Sequence, residues 1–494
     1  MGCFNLHASN TDDPPEVRNW RIHMIAVIAS MGSVAMGYDT SVIGGTMALD
    51  SFRRDFGLAN VAPHTRDTLQ GNIVSTFQAG CFFGSLLTFP LGEKFGRKKA
   101  IMFASLVFCI GGAMMTAANG IIALIIAGRA IAGLGIGAVS LLVPVYIAET
   151  SPPSIRGRLV GIFEVLSQGG GMLGFWINYA VNRTISVEGQ TQWIVPLSLQ
   201  LIPGALLFFG IMFCPESPRW YAKKDRWEEA GKTLAHIRHL DENHPYIQRE
   251  LSDIREQIIM STPANGQRMG KMDMFKRLCQ KGTRNRIAIG LFLMACQNLT
   301  GVNIITYYSP RIFETLGITG TDTKLFATGF YGIAKTLGMI VFSLYLVEKI
   351  GRRNGLIWGA FIGSLPMWYI GAYVMRADPA GAAAKGVVSQ TGAGYFAMVC
   401  VYLTADQWLW SFVISRTTPY MITSLGYGTY MFFGSLMVLM GLWAWWAVPE
   451  TKGKTLEEME ALFGVPGAVE AEARAAVYQK EKVECIEDIH HNKV

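Results

Sequence analysis

Runs of about 20 apolar residues recur along the chain, at roughly 22–47, 69–91, 100–118, 121–148, 159–181 and 193–214, and again at about 286–308, 325–347, 354–375 and 428–448. Each can cross the roughly 30 Å hydrocarbon core of a bilayer as a helix rising about 1.5 Å per residue. Between the two groups, residues 215–285 are rich in Lys, Arg, Asp and Glu, and pieces such as "RWEEAGKTLAHIRHL" carry the period of short surface helices. The pattern predicts an all-α membrane protein. Its parts are a cytoplasmic N-terminal tail (1–21), a six-helix bundle (22–214), a cytoplasmic linker with short helices (215–285), a second bundle (286–448) and a cytoplasmic C-terminal tail (449–494).

Composition sharpens this. With 494 residues, 51% of them hydrophobic and only 16% charged, and a mean hydropathy of +0.29, the chain holds far more apolar side chain than a soluble core requires. The net charge of +7 is spread unevenly over the loops, which bears on orientation; no nucleic-acid motif accompanies it. Of the eight cysteines, Cys81, Cys109, Cys296 and Cys400 fall inside apolar runs, so neither a disulfide framework nor a metal site is expected. The opening "MGC" has Leu6 where an acylation signal wants Ser or Thr, and the polar leader lacks a signal-peptide core. Basic residues cluster in alternate loops: Lys94, Arg97, Lys98 and Lys99 after the second run, Arg156 and Arg158 after the fourth, then the long linker. Those loops are expected to be cytoplasmic, and the sequon at Asn182 then faces outward.

Polar residues inside the runs carry the candidate chemistry. Gln297, Asn298 and Asn303 sit in the stretch from Gly290 to Pro310, with Tyr307 and Tyr308 beyond them. At about 100° per residue, Gln297, Thr300, Asn303 and Tyr307 share one face, which cannot look at lipid. Such a face is either interhelical hydrogen-bond glue or a binding surface for a polyhydroxylated solute, since each amide offers donor and acceptor together. Gln168, Gly171, Phe175 and Asn178 likewise share a face in the fifth run. Asp39 and Arg129 each cost about 2.5–3.5 kcal/mol at a helix centre, so pairing them is the natural solution. Lys335, in the middle of the eighth run, either lines a cavity and favours an anionic solute or snorkels to a neighbouring carbonyl. "GLGIG" at Gly133 to Gly137 imitates part of a nucleotide fingerprint but lies within a spanning helix, where close helix packing explains it.

"LGEKFGRKK" ending at Lys99 is echoed by "VEKIGRR" ending at Arg353, and "PESPRW" from Pro215 by "PETKGK" from Pro449, as in a duplicated six-span unit with a site between its halves. Together with "GYDTSVIGG" from Gly37, "GRAIAGLGIGA" from Gly128, "PVYIAETSPPSIRGR" from Pro144 and "QNLTGVNIITYYSP" from Gln297, these motifs resemble the sugar porter family of the major facilitator superfamily, in its fungal-type branch. The resemblance implies two pseudo-symmetric bundles, alternating access and no cofactor. Its implied partners are a sugar or polyol, protons and the lipid bilayer of the plasma membrane. It implies proton uptake at Asp39 with release of Arg129, solute contacts from Gln168, Gln297, Asn298, Asn303, Tyr308, Gln407 and Trp408, and a cytoplasmic gate of ion pairs among Glu93, Arg97, Glu149, Arg156, Glu216, Arg219, Glu348 and Arg352. Proton-coupled uptake of a hexose or pentose is the leading expectation. A quinate or acidic-sugar permease, a transporter-like sensor and an inactive truncated product remain open beside it.

The second half departs from that pattern. Gly96 to Pro215 spans 119 residues but Gly351 to Pro449 only 98, and "YFAMVCVYL" runs directly into "TADQWLW". The C-terminal bundle is therefore expected to be incomplete near 404–407. A re-entrant hairpin turning around Thr404 to Asp406 would keep both flanking signals cytoplasmic, with impaired transport as the expected consequence.

Overall fold

The computed structural model describes residues 19–59, 61–152, 155–261, 302–316, 320–341, 352–377 and 427–449, together with 14, 17, 279, 284–285, 287–292, 318 and 379. The first half is built from α1 (Trp20–Ala29), α2 (Met31–Thr46), α3 (Asp50–Asp55), α4 (Pro63–Phe95), α5 (Arg97–Thr116), α6 (Ile122–Thr150), α7 (Arg156–Thr184), α8 (Thr191–Leu199) and α9 (Leu201–Phe213). Three short helices follow: α10 (Pro218–Lys223), α11 (Trp227–Arg238) and α12 (Pro245–Ser261). The described part of the second half is α13 (Val302–Thr315), α14 (Thr321–Val341), α15 (Arg352–Ala377) and α16 (Tyr427–Ala447). Among the described residues, eight helical stretches are long and apolar enough to cross a membrane. The chain is a multi-pass integral membrane protein, and Phe82, Phe83, Leu86, Leu87 and Phe89 of α4 form the kind of bare apolar flank that lipid covers.

Two spans that read as single apolar runs are each broken. The first bends at Ser30, between α1 and α2, and the sixth at Gln200, between α8 and α9. At the second break Pro203 has no N–H to offer the Leu199 carbonyl, which frees that turn to bend. The run around Pro310 is also not a uniform helix: Tyr308 leaves helical geometry at φ −122, ψ 22, in the turn before Pro310, which has no N–H to donate.

Small residues set how close the helices come. A Cβ on Gly133 or Gly137 would lie 2.3 Å from the Phe77 carbonyl oxygen and 2.1 Å from that of Cys81, both on α4, while one on Gly135 would lie 2.6 Å from the Ala104 oxygen of α5. The "GLGIG" segment is thus a two-sided packing surface in α6, as its position in a span implies. The apolar core has one large part, mostly among α1–α9 but reaching Ile237 of α11, Tyr307 and Tyr308 of α13 and Leu325 of α14, and a second among α13–α16, which Phe175 of α7 joins. The small helices α10–α12 keep a core of their own around Ala222, Ala230 and Ile254.

Candidate functional site

Asp39 on α2 and Arg129 on α6 are both fully buried and meet at 2.7 Å, Oδ2 to Nη1. The guanidinium carbon lies 4.2 Å from the Phe77 ring centroid, and Nε donates to the Ile73 carbonyl at 3.3 Å. The pair is joined by one oxygen only: Asp39 Oδ1 and Arg129 Nη2 have no hydrogen-bond partner among the described residues. A carboxylate with one oxygen bonded to a cation and the other bare has a place to receive a proton.

One turn away, α2 crosses α7 closely enough that a Cβ on Gly37 would lie 1.8 Å from the Ser167 carbonyl oxygen. That crossing sets Gln168, itself buried, beside the charge pair's helix. On its other flank α7 meets α14, where Thr336 Oγ1 donates to the Gln168 carbonyl at 3.2 Å. Lys335 sits next in sequence, half-buried, with Nζ 3.5 Å from Thr306 Oγ1 of α13. Thr306 in turn lies 3.4 Å from the Tyr331 hydroxyl. Gln168, Thr306, Lys335 and Thr336 therefore gather where α7, α13 and α14 converge. Tyr308 is buried and lines a cavity between the C-terminal end of α2 and the N-terminal end of α4, and the Tyr307 hydroxyl accepts from Gln78.

Asn178 shares the Gln168 face but is fully used within the fold. Its Oδ1 accepts from Thr46 at 3.0 Å, and Nδ2 donates to the Val42 and Gly174 carbonyls at 2.8 and 3.1 Å. Nothing local announces this, because Thr46 and Val42 lie on α2. Gln297, Asn298, Gln407, Trp408 and Glu348 lie outside the described residues, as do the side chains of Asn303 and Arg352 and the shortened segment near 404–407.

At the end of the first half where α4 meets α5 the charged motifs assemble, and of the gate residues described only Glu93 and Arg97 pair as sequence neighbours. Arg97 bonds Glu93 at 3.0 Å and Glu149 at 3.0 and 3.1 Å, and donates to the Gly92 carbonyl at 2.9 Å. Glu149 takes its second partner from the Ser217 hydroxyl. Glu216 does not pair with Arg219: it accepts the backbone N–H groups of Arg97 at 2.9 Å, Lys98 at 3.1 Å and Ser217 at 2.8 Å, capping the N-terminus of α5. Burial nevertheless holds its carboxyl above the ordinary value, with those backbone bonds pulling the other way. The cap explains the glycine before "RKK". Gly96 has φ +95, and a Cβ on it would lie 2.2 Å from Glu216 Oε2. Arg156 does not bond Glu149, whose oxygens are already taken by Arg97 and Ser217, and its buried Nε has no partner among the described residues. Asn182 of the sequon donates its amide to Asp322 of α14.

Comparison with known proteins agrees with this architecture. The family model described as "Sugar (and other) transporter" matches residues 25–405 and 401–463, two pieces that meet where the chain reads "VYLTADQW". A quinate permease of Neurospora terricola is 42% identical over 92% of this chain and 90% of its own length, and a probable quinate permease of Aspergillus clavatus 40% over 91% and 89%. Among solved structures, the xylose transporter XylE from E. coli, in a partially occluded inward-open conformation, superposes with a TM-score of 0.69 at 25% identity, over 89% of this chain and 100% of that one. A POT family peptide transporter shares the fold at a TM-score of 0.53 and 14% identity. The chain therefore belongs to the sugar porter family of the major facilitator superfamily and is a membrane transporter of small molecules, not an enzyme.

Proposed function

We propose that the chain carries quinate, or a closely similar carboxylated cyclic polyol, by alternating access between an N-terminal bundle (22–214) and a C-terminal bundle (286–448), with a proton as co-substrate. The observation that carries the substrate is the run of relatives named quinate permeases at about 40% identity over nine-tenths of the chain. It favours an acid over the neutral hexose or pentose that the motifs alone suggest. Lys335 supports the same choice, as a half-buried cation on α14 with Nζ 3.5 Å from the Thr306 hydroxyl. In this reading its ammonium holds the carboxylate. Gln168 and Tyr308, with Gln297, Asn298, Asn303 and Gln407, hold ring hydroxyls, and Trp408 covers the apolar side of the ring.

Asp39 is the coupling group. A proton arriving at Oδ1 weakens its hold on Arg129 and leaves that guanidinium to find other partners, which is the differential contact that two conformations need. One proton per monoanion moves no net charge, so accumulation would follow the pH gradient at about tenfold per unit and be indifferent to membrane potential. The plasma membrane is the proposed location. Uptake of labelled quinate, glucose and xylose tests the proposal, in cells lacking their own carriers for these solutes and with and without an uncoupler. Quinate uptake that the uncoupler abolishes is expected; uptake of glucose or xylose without quinate would overturn it.

A further inference from the structure

A cavity of about 310 Å3 lies between the outer ends of α2 and α4 and the kinked part of α13, at the far end of α4 from the Arg97 network. Four cations line it, Arg53, Arg66, Arg311 and Lys324, against one carboxylate, Glu314. Glu314 is paired with Lys324 at 3.1 Å. Arg311 on α13 grips Asp67 on α4 with two bonds of 2.7 and 3.2 Å, in a pair that is nearly buried and ties the two halves together. Arg53 donates Nε to the Met47 carbonyl at 3.3 Å, and neither Arg53 nor Arg66 has a carboxylate partner among the described residues. Among the described residues the recess therefore holds two guanidiniums without a carboxylate, beside a carboxylate-binding fork that is already in use.

We propose that this vestibule is an outer capture site for carboxylate-bearing solutes, which rests on the reading of the substrate as an organic anion. Positive charge in a recess with low-dielectric walls raises the local concentration of anions and speeds their entry. A solute carboxylate has the same planar pair of oxygens as Asp67, so it can take that residue's place on Arg311. The exchange loosens a link between α4 and α13, which must part for the outer side to open. An anion thus meets the latch before it reaches the central polar cluster, and a neutral sugar has nothing with which to displace Asp67.

The test is the full chain in whole cells, with initial rates of labelled quinate uptake at several NaCl concentrations. In wild type, KM should rise with ionic strength. In R53Q/R66Q the KM at low salt should be about fivefold higher, its salt dependence flattened and Vmax per surface-exposed copy unchanged, with R53K/R66K restoring wild-type behaviour. R66Q alone removes a side chain without an ion pair among the described residues, and gives the same reading should the double variant fail to reach the membrane. Wild-type KM and salt dependence in these variants would overturn the capture site while leaving the substrate reading intact. A wild-type protein that carries neutral sugar and no quinate would overturn both.

Discussion

Gly44→Ala should slow transport without unfolding the protein. Gly44 lies near the outer end of α2 and faces the backbone of α13: a Cβ there would sit 2.3 Å from the Tyr307 carbonyl oxygen and 3.0 Å from its carbon. Comfortable carbon contacts begin near about 3.5 Å, so the overlap exceeds about 1 Å. Both atoms struck belong to the main chain, and no rotamer change relieves them. Overpacking of this size costs about 1–3 kcal/mol, and here only in conformations where α2 and α13 touch. A conformation with the outer side open does not incur it. The closed-outside population should therefore fall about five- to hundredfold relative to the open one. Expected are a loss of initial uptake in that range and faster reaction of an R66C reporter with an impermeant thiol reagent, at unchanged surface abundance. Wild-type uptake together with wild-type labelling would refute the steric argument. Gly37→Ala is the contrast, because its Cβ would strike the Ser167 carbonyl at 1.8 Å between two helices of the first half. That clash persists in every conformation and should appear as lost protein.

Asp39→Asn should abolish uphill accumulation in a pH gradient while leaving quinate exchange in place; accumulation that an uncoupler still collapses would remove Asp39 from coupling. Lys335→Gln should raise the KM for quinate about tenfold or more by losing a charged hydrogen bond, and an unchanged KM would return the lysine to a packing role. Arg238→Ala strips the donors from Glu250, bonded at 2.7 and 3.1 Å, and from the Thr150 carbonyl at 2.7 Å. Glu250 keeps some contact with water, which places the cost nearer about 2 kcal/mol than the figure for a sealed pair. It should be read as a lower melting temperature and easier proteolysis of residues 218–261, and an unchanged melt would contradict it.

The spans were legible because burial in lipid demands long apolar runs, and most of those now described begin and end close to the runs, whereas α4 starts earlier, at Pro63, and α13 continues past its run to Thr315. The Asp39–Arg129 pair was legible for the same reason: neither charge survives alone at that depth. Pairings set by helix approach were not. Glu149 and Arg156 are neighbours in sequence, but Gly96 turns the start of α5 so that Arg97 reaches Glu149 first. Asn178 looked like part of a binding face because its partners, Val42 and Thr46, lie more than 130 positions away. The bond from Asn182 to Asp322, equally remote in sequence, was hidden for the same reason. Of the three bends, Pro203 and Pro310 announce two, whereas nothing local announces the one at Ser30.

The anchoring of α11 has a consequence for the moving protein. Through Arg238 it holds the last carbonyl of α6, and its Ile237 and His236 carbonyls receive Asn19 and Arg21 at the entrance of α1. The helical part of the linker is thereby bolted to the first half. It does not behave as a slack tether shared by both halves but as a lever that swings with one of them. In the proposed rocking motion, anything that grips this arm acts directly on the first half: a bound partner, an added phosphate or a fused reporter would each work as a brake or a gauge at a distance from the solute path.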